Sequence, residues 1–132
     1  MNPLLRAYWN RWLGDRGERQ AARFLKQRGI RVLTRGYATR QGEVDLICRE
    51  GQTVVFVEVK SRKQGVPAEA VTPEKQRRLT LAALHFLRKH DLLETPCRFD
   101  VVAVVWPDGP EPTSIEHFRD AFPAVGHGQM FR

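Results

Sequence analysis

The chain has 132 residues, 42% of them apolar and gathered in discrete blocks, and a formal charge of +7. That length suits a single domain over residues 1–132, and the apolar content excludes wholesale disorder. No apolar run approaches the roughly 20 residues that cross a bilayer, and the opening MNPLLRAYWNRWLG is broken by Arg6, Asn10 and Arg11, so neither a membrane partner nor a signal peptide is expected.

The charge is unevenly placed. Residues 1–40 carry ten Lys or Arg against Asp15 and Glu18, whereas residues from 99 onward carry more acid than base. An Arg-rich opening of this kind suits a phosphate backbone, with a merely solvated surface as the bland alternative. Cys48 and Cys97 sit in strand-like runs without a CxxC pairing, a pattern of buried reduced thiols that fits a reducing cytoplasm.

In chain order, a first helix is predicted from about Asp15 to Arg28, closed by Gly29. Its apolar side collects Gly17, Glu18, Ala21, Ala22, Phe24 and Leu25, and its polar side Arg16, Arg19, Arg23 and Lys26. Glu18 is thus a carboxylate on a core-facing stripe, costly unless it has a partner; a helix-dipole role is its bland alternative. Residues 30–42 read as a strand with a break near Gly36, then a loop. Glu43 to Arg49 and Thr53 to Lys60 form a hairpin about a Glu50-Gly51 turn, and the second run is apolar on both faces until Glu58, as in a central strand. A loop from Gln64 to Val71 leads to a second helix, capped by Thr72 and Pro73 and running to about His90, with Leu79, Ala82, Ala83 and Phe86 facing the core. Arg98 to Trp106 is a further strand, Ser114 to Phe118 an edge strand, and the residues beyond about Phe122 a loose tail. The order α-β-β-β-α-β-(β) predicts an α/β fold, a mixed central sheet flanked by helices.

Side chains alternate along strands, so Val54, Phe56, Glu58 and Lys60 share a face, as do Glu43, Asp45 and Ile47. With the turn at Glu50-Gly51, Cys48 falls opposite Thr53 and Asp45 opposite Phe56, which makes Asp45 and Glu58 diagonal neighbours. Two adjacent carboxylates repel each other, and a hard divalent cation such as Mg²⁺ or Mn²⁺ resolves the repulsion with oxygen ligands. Such an ion activates water and stabilises charge on a phosphoryl oxygen, while Lys60 orients or deprotonates the water. The carbonyl of Val59 is a further candidate ligand. The bland alternative, a Glu58–Lys60 ion pair at a sheet edge, does not explain why Asp45 shares their face.

The D-x12-E-x-K pattern of Asp45, Glu58 and Lys60, on a hairpin that follows a helix bearing Glu18, resembles the PD-(D/E)xK nuclease superfamily. More specifically, GDRGE at Gly14 to Glu18, GEVDLI at Gly42 to Ile47, VFVEVKSR at Val55 to Arg62 and RFDVVAV at Arg98 to Val104 resemble the bacterial YraN-like family. That resemblance covers a core from Gly14 to about Phe122. It implies a restriction-endonuclease-like fold similar to archaeal Holliday junction resolvases and metal-dependent phosphodiester hydrolysis on DNA. It further implies metal ligation by Asp45 and Glu58, catalysis by Lys60, and a metal site completed by Glu18. The chain departs at Val44, where the superfamily's name has proline; that position is not a ligand.

Supporting phosphate contacts are expected from Arg16, Arg19 and Arg23 on the first helix, from Ser61, Arg62 and Lys63 after the motif, and from Lys75 and Gln76 at the start of the second helix. Glu43 ranks below the triad, and Asp100 reads as a structural bridge to a basic side chain. His85, His90, His117 and His127 lack zinc-site spacing, and no glycine-rich loop has P-loop form. The reading is a Mg²⁺- or Mn²⁺-dependent endodeoxyribonuclease for branched or structured DNA. Its alternatives are a nucleic-acid-binding module on the same fold and a basic protein meeting an acidic partner. Cutting both strands of a two-fold junction would call for a homodimer, with Leu4, Leu5, Tyr8, Trp9 and Trp12 as candidate contacts.

Overall fold

A computed structural model describes residues 3–65, 70–107, 109, 111–112 and 114–125, with only the backbone path of 4–13. The candidate dimer contacts in residues 4–12, the middle of the loop after Lys63, His127 and the end of the tail therefore lie outside the described side chains. The elements are α1 (Pro3–Gln27), β1 (Arg31–Ala38), β2 (Glu43–Glu50), β3 (Thr53–Lys63), α2 (Pro73–Lys89), β4 (Cys97–Trp106) and β5 (Ser114–Phe122).

The five strands form one sheet in the order β1-β2-β3-β4-β5. Neighbours pair antiparallel except β3 and β4, which run parallel and are joined through α2. A parallel pair requires such a crossover, because a tight turn cannot return the chain to the same end. β3 is central, as its two apolar faces predicted, and each face has its own core. On one, α2 brings Leu79, Ala82, Ala83 and Phe86 onto Ile47, Val54, Phe56 and Phe99. On the other, α1 brings Ala21 and Leu25 onto Leu46, Cys48, Val55, Val57, Val102 and Val104. This is the α/β architecture of a restriction-endonuclease-like core.

Two glycines set how closely the elements approach. A Cβ on Gly17 would lie 1.9 Å from Ser61 Oγ, so glycine lets α1 rest on β3 here with the Ser61 side chain in place. A Cβ on Gly42 would lie 2.5 Å from the Arg78 carbonyl oxygen, so the β1–β2 turn and the first turns of α2 are in backbone contact. α2 itself starts as its sequence predicted: Thr72 Oγ1 accepts from the Lys75 N–H at 3.1 Å, and Pro73 follows.

Several boundaries differ from the sequence expectation. α1 begins at Pro3, not near Asp15, because the residues before Gly14 are good helix formers and proline is tolerated in a first turn. β1 does not break at Gly36; the strand is continuous, with an irregularity between Val32 and Thr34 and Gly36 at φ +62. β3 continues to Lys63, held by the parallel ladder to β4, so Ser61, Arg62 and Lys63 belong to a strand. β5 extends to Phe122, whose ring stacks on Phe99 with centroids 4.9 Å apart.

The hairpin register also differs. Glu50 pairs with Thr53 and Cys48 with Val55, which leaves Gly51 and Gln52 as the turn, with Gly51 at φ +59. The expected pairing is thus off by two residues. A two-residue change keeps the paired side chains on their faces, and carried one step past the last pair, Leu46–Val57, it would set Asp45 opposite Glu58 instead of diagonal to it.

Candidate active site

β2 and β3 stop pairing at Leu46 and Val57. One step beyond, where the ladder would carry Asp45 opposite Glu58, a side chain replaces the backbone bond. The Val59 N–H donates to Asp45 Oδ2 at 2.8 Å. The aspartate thus occupies the split in the hairpin, where groups from either face of the sheet can approach it.

Glu58 is 3% exposed and Asp45 half-buried. Burial, then the neighbouring Glu58 carboxylate, push the Asp45 carboxyl up to about 8, against the pull of the Val59 N–H. The two carboxyl groups approach closely enough for one to hydrogen-bond the other. Two carboxylates crowded out of water retain a proton or recruit a cation. From the α2 side a cation is already supplied, since Lys75 Nζ lies 2.6 Å from Glu58 Oε1. Burial opposes the charge on Lys75, but Glu58 outweighs it and the ammonium is held above its usual range. Lys60 is half-buried on the Glu58 face and neighbours Lys75.

Glu18 approaches from α1. It is half-buried, and its carboxyl is raised by burial, with Arg35 opposing and Glu43, Asp15 and Glu58 adding to the rise. Glu18, Asp45 and Glu58 therefore feel one another. Among the described residues, however, no three acidic, histidine or cysteine side chains converge as they would around an ion. Asp45 and Glu58 alone fit a hard cation, because Mg²⁺ is commonly held by one or two carboxylates with water and phosphate completing its shell.

The carboxylate pair opens onto a cleft of about 910 Å³. One wall is the β1–β2 turn (Thr39, Arg40, Gly42, Glu43), and the other is the start of α2 (Thr72, Glu74, Lys75, Arg77, Arg78). Of the expected phosphate contacts, Lys75 lines this cleft. Gln76 does not, since its amide donates to the Val71 carbonyl at 2.9 Å and fastens the loop to the helix. Ser61 lies on the α1 face, under Gly17 and 3.4 Å from Trp106 Nε1. Arg62 follows Glu58 and Lys60 on the carboxylate face by strand alternation, and Lys63 is exposed. Arg19 is exposed and paired with Asp15 at 2.6 Å, Arg23 is exposed, and Arg16 lies over the Trp106 ring at 5.3 Å. The basic helix thus flanks the site across the sheet, and among the described residues none from α1 lines the cleft.

Sequence reasoning missed Arg35, which neighbours Glu18, and the arginines of the cleft. The signal for the latter was present in the helical spacing of Glu74 to Arg77 and Arg78. Asp100 is structural, as expected. Fully buried, it accepts from Arg98 Nε at 2.9 Å and from the Asp120 N–H at 2.9 Å, and it lies 2.7 Å from His117 Nε2. Arg98 and Arg119 continue the network to Glu50, whose carboxyl Arg119 and then Arg98 lower to about 2 against the effect of burial.

No helix among the described residues is long and apolar enough to cross a membrane. Comparison with known proteins finds close relatives. A UPF0102 protein of Rhodopirellula baltica is 47% identical over 89% of this chain and 74% of its own length. One from Anaeromyxobacter dehalogenans is 51% identical over 86% of each chain. One from Rhodococcus opacus is 50% identical over 83% of this chain and 95% of its own. The model of the "Uncharacterised protein family UPF0102" matches residues 17–104, a span that holds Glu18, Asp45, Glu58, Lys60 and both walls of the cleft. The YraN-like blocks in the sequence and these matches agree, and the chain belongs to the UPF0102 (YraN) family.

Proposed function

We propose that this chain is a divalent-metal-dependent endodeoxyribonuclease that hydrolyses phosphodiester bonds in structured or branched DNA. The observation that carries the reading is the opposition of Asp45 and Glu58 at the split of the hairpin, facing a cleft with Lys75 in its wall and Lys60 beside it. A repelling, half-desolvated carboxylate pair weakens a fold and is expected where a cation is to be bound.

In this reading Asp45 and Glu58 hold Mg²⁺ or Mn²⁺, with Glu18 and the Val59 carbonyl as further oxygen ligands. The ion supplies Lewis acidity and an activated water. Lys60 would orient the attacking water, taking its proton when present as the neutral amine, and Lys75, released from Glu58, would balance charge on the phosphate. Val59 keeps Asp45 in place through its N–H. Arg16, Arg19, Arg23, Arg62 and Lys63 attract the DNA backbone from the flanks. Two copies of the chain would serve a substrate in which two strands are cut.

A second reading, a nucleic-acid-binding module with little turnover, draws on the Lys75–Glu58 pair, which already neutralises one ligand. A cleavage panel separates the two: linear, flapped and four-way DNA with Mg²⁺, Mn²⁺ or chelator, for wild type, Asp45→Ala and Lys60→Ala. The nuclease reading expects cutting that needs metal and both side chains while DNA affinity persists. Cutting that survives chelator or either substitution overturns it.

A further inference from the structure

The walls of the cleft carry arginines that the metal chemistry leaves unused. Arg40 stands at the tip of the β1–β2 turn, which is tightly made. The Thr39 N–H donates to the Gly42 carbonyl at 2.8 Å, and Thr39 Oγ1 accepts from the N–H groups of Gln41 and Gly42 at 3.2 Å each. Across the cleft, Arg77 and Arg78 project from the first turns of α2, both at least half exposed. Gly42 approaches the Arg78 backbone so closely that a Cβ there would clash, so the turn packs directly against the helix that carries these side chains.

Glu74 engages both helix arginines, 2.7 Å from Arg77 Nη2 and 3.3 Å from Arg78 Nε, and its carboxyl is lowered first by the Arg77 hydrogen bond. An exposed pair of this kind contributes little to stability. Two guanidiniums gathered around one exchangeable carboxylate are equally suited to phosphate oxygens, which arginine binds bidentately.

We infer that Arg40, Arg77 and Arg78 form a track for the phosphates of a single DNA strand leading to the carboxylate pair, with Glu74 as the internal anion that the strand displaces. This deepens the nuclease reading and rests on it for the strand's destination. The three arginines and the carboxylate pair line the same cleft, so a strand that follows the arginines reaches Asp45 and Glu58. A basic groove that follows one backbone is the usual means of holding single strands. A track that engages one backbone favours DNA whose strands are already splayed, as at flaps, branches and ends.

The test is fluorescence anisotropy of the full chain in chelator, with a labelled single-stranded oligonucleotide and a blunt duplex, circular dichroism confirming the fold of each variant. Arg77→Ala/Arg78→Ala is expected to weaken single-strand binding on the order of tenfold and to flatten the slope of log K against log salt by about 1.4, two phosphates at roughly 0.7 each. Arg88→Ala/Lys89→Ala removes the same charge from the far end of α2 and is expected to change neither. Glu74→Gln is expected to tighten single-strand binding a few-fold, and the exposed Glu94→Gln to leave it unchanged. Equal losses from the two double variants, a loss confined to the duplex, or a wild type that binds no single strand overturns the track. Cleavage with Mg²⁺ is scored separately. A wild type that binds but does not cut removes the nuclease reading alone. A wild type that cuts while Arg77→Ala/Arg78→Ala binds as tightly removes the track alone.

Discussion

Lys75 Nζ lies 2.6 Å from Glu58 Oε1, so an ammonium holds the place beside this buried carboxylate that a divalent cation would take. In the nuclease reading the two cations compete, and loading the site would mean turning Lys75 away. Lys75→Met is therefore expected to raise Mn²⁺ affinity several-fold in calorimetric titration. Unchanged or weaker binding would mean that the ion does not use Glu58.

The raised Asp45 carboxyl gives the metal-free fold a pH dependence. From 3.8 in the free side chain to about 8 in the folded state, the folded chain keeps a proton that the unfolded chain has released. The associated stability is fully present below about pH 3.8 and is lost as pH rises through about 8. In chelator, Tm is expected to fall between about pH 4 and about pH 8, with Asp45→Asn flattening the trend. Saturating Mn²⁺ should remove it too, because the ion replaces the proton as counter-charge. A slope that Asp45→Asn leaves intact would place its origin elsewhere.

Lys60 is assigned the proton-handling role, worth about 10²–10⁴-fold in rate for a positioned acid or base. Lys60→Ala is expected to lower kcat in that range with KM nearly unchanged, measured on a branched DNA substrate. Loss of affinity with turnover preserved would make it a phosphate contact instead.

Gly17→Ala places a methyl 1.9 Å from Ser61 Oγ and is expected to destabilise by about 1–3 kcal/mol in denaturant unfolding. Ser61→Gly in the same chain should recover part of the loss, since the clash is with a side chain. Gly42→Ala meets the Arg78 backbone, so no single side-chain truncation should rescue it.

The Asp100 network is expected to matter for stability alone. Asp100→Ala leaves Arg98 and His117 without their buried partner and should cost about 3–5 kcal/mol in denaturant unfolding. Metal affinity of the folded protein should be unchanged. A change there would mean that the two ends of the sheet are coupled.

Much of this was legible without coordinates because it depends on local periodicity. The run TVVFVEVK reads as a central strand since both of its faces are apolar, and alternation alone puts Asp45, Glu58 and Lys60 on one face. The register error of two residues leaves that alternation unchanged within the paired stretch from Leu46 to Glu50. The start of α1 was misplaced because Gly14 lowers helix propensity locally, and propensity is a weak prior over a long helix.

What only the tertiary structure decided is which distant segments meet. The opening of the hairpin beyond Leu46 and Val57 lets the Asp45 side chain take the Val59 N–H, and no strand pattern foretells that exchange. The crossover through α2 brings Lys75 onto Glu58 and sets Arg77 and Arg78 across from Arg40, residues 37 or more positions apart in the chain. Sequence alone pointed to the strand faces on which the candidate residues lie, because side-chain direction is a property of each strand. The cleft beside it came from packing, because its walls belong to elements that touch only once the sheet and both helices are assembled.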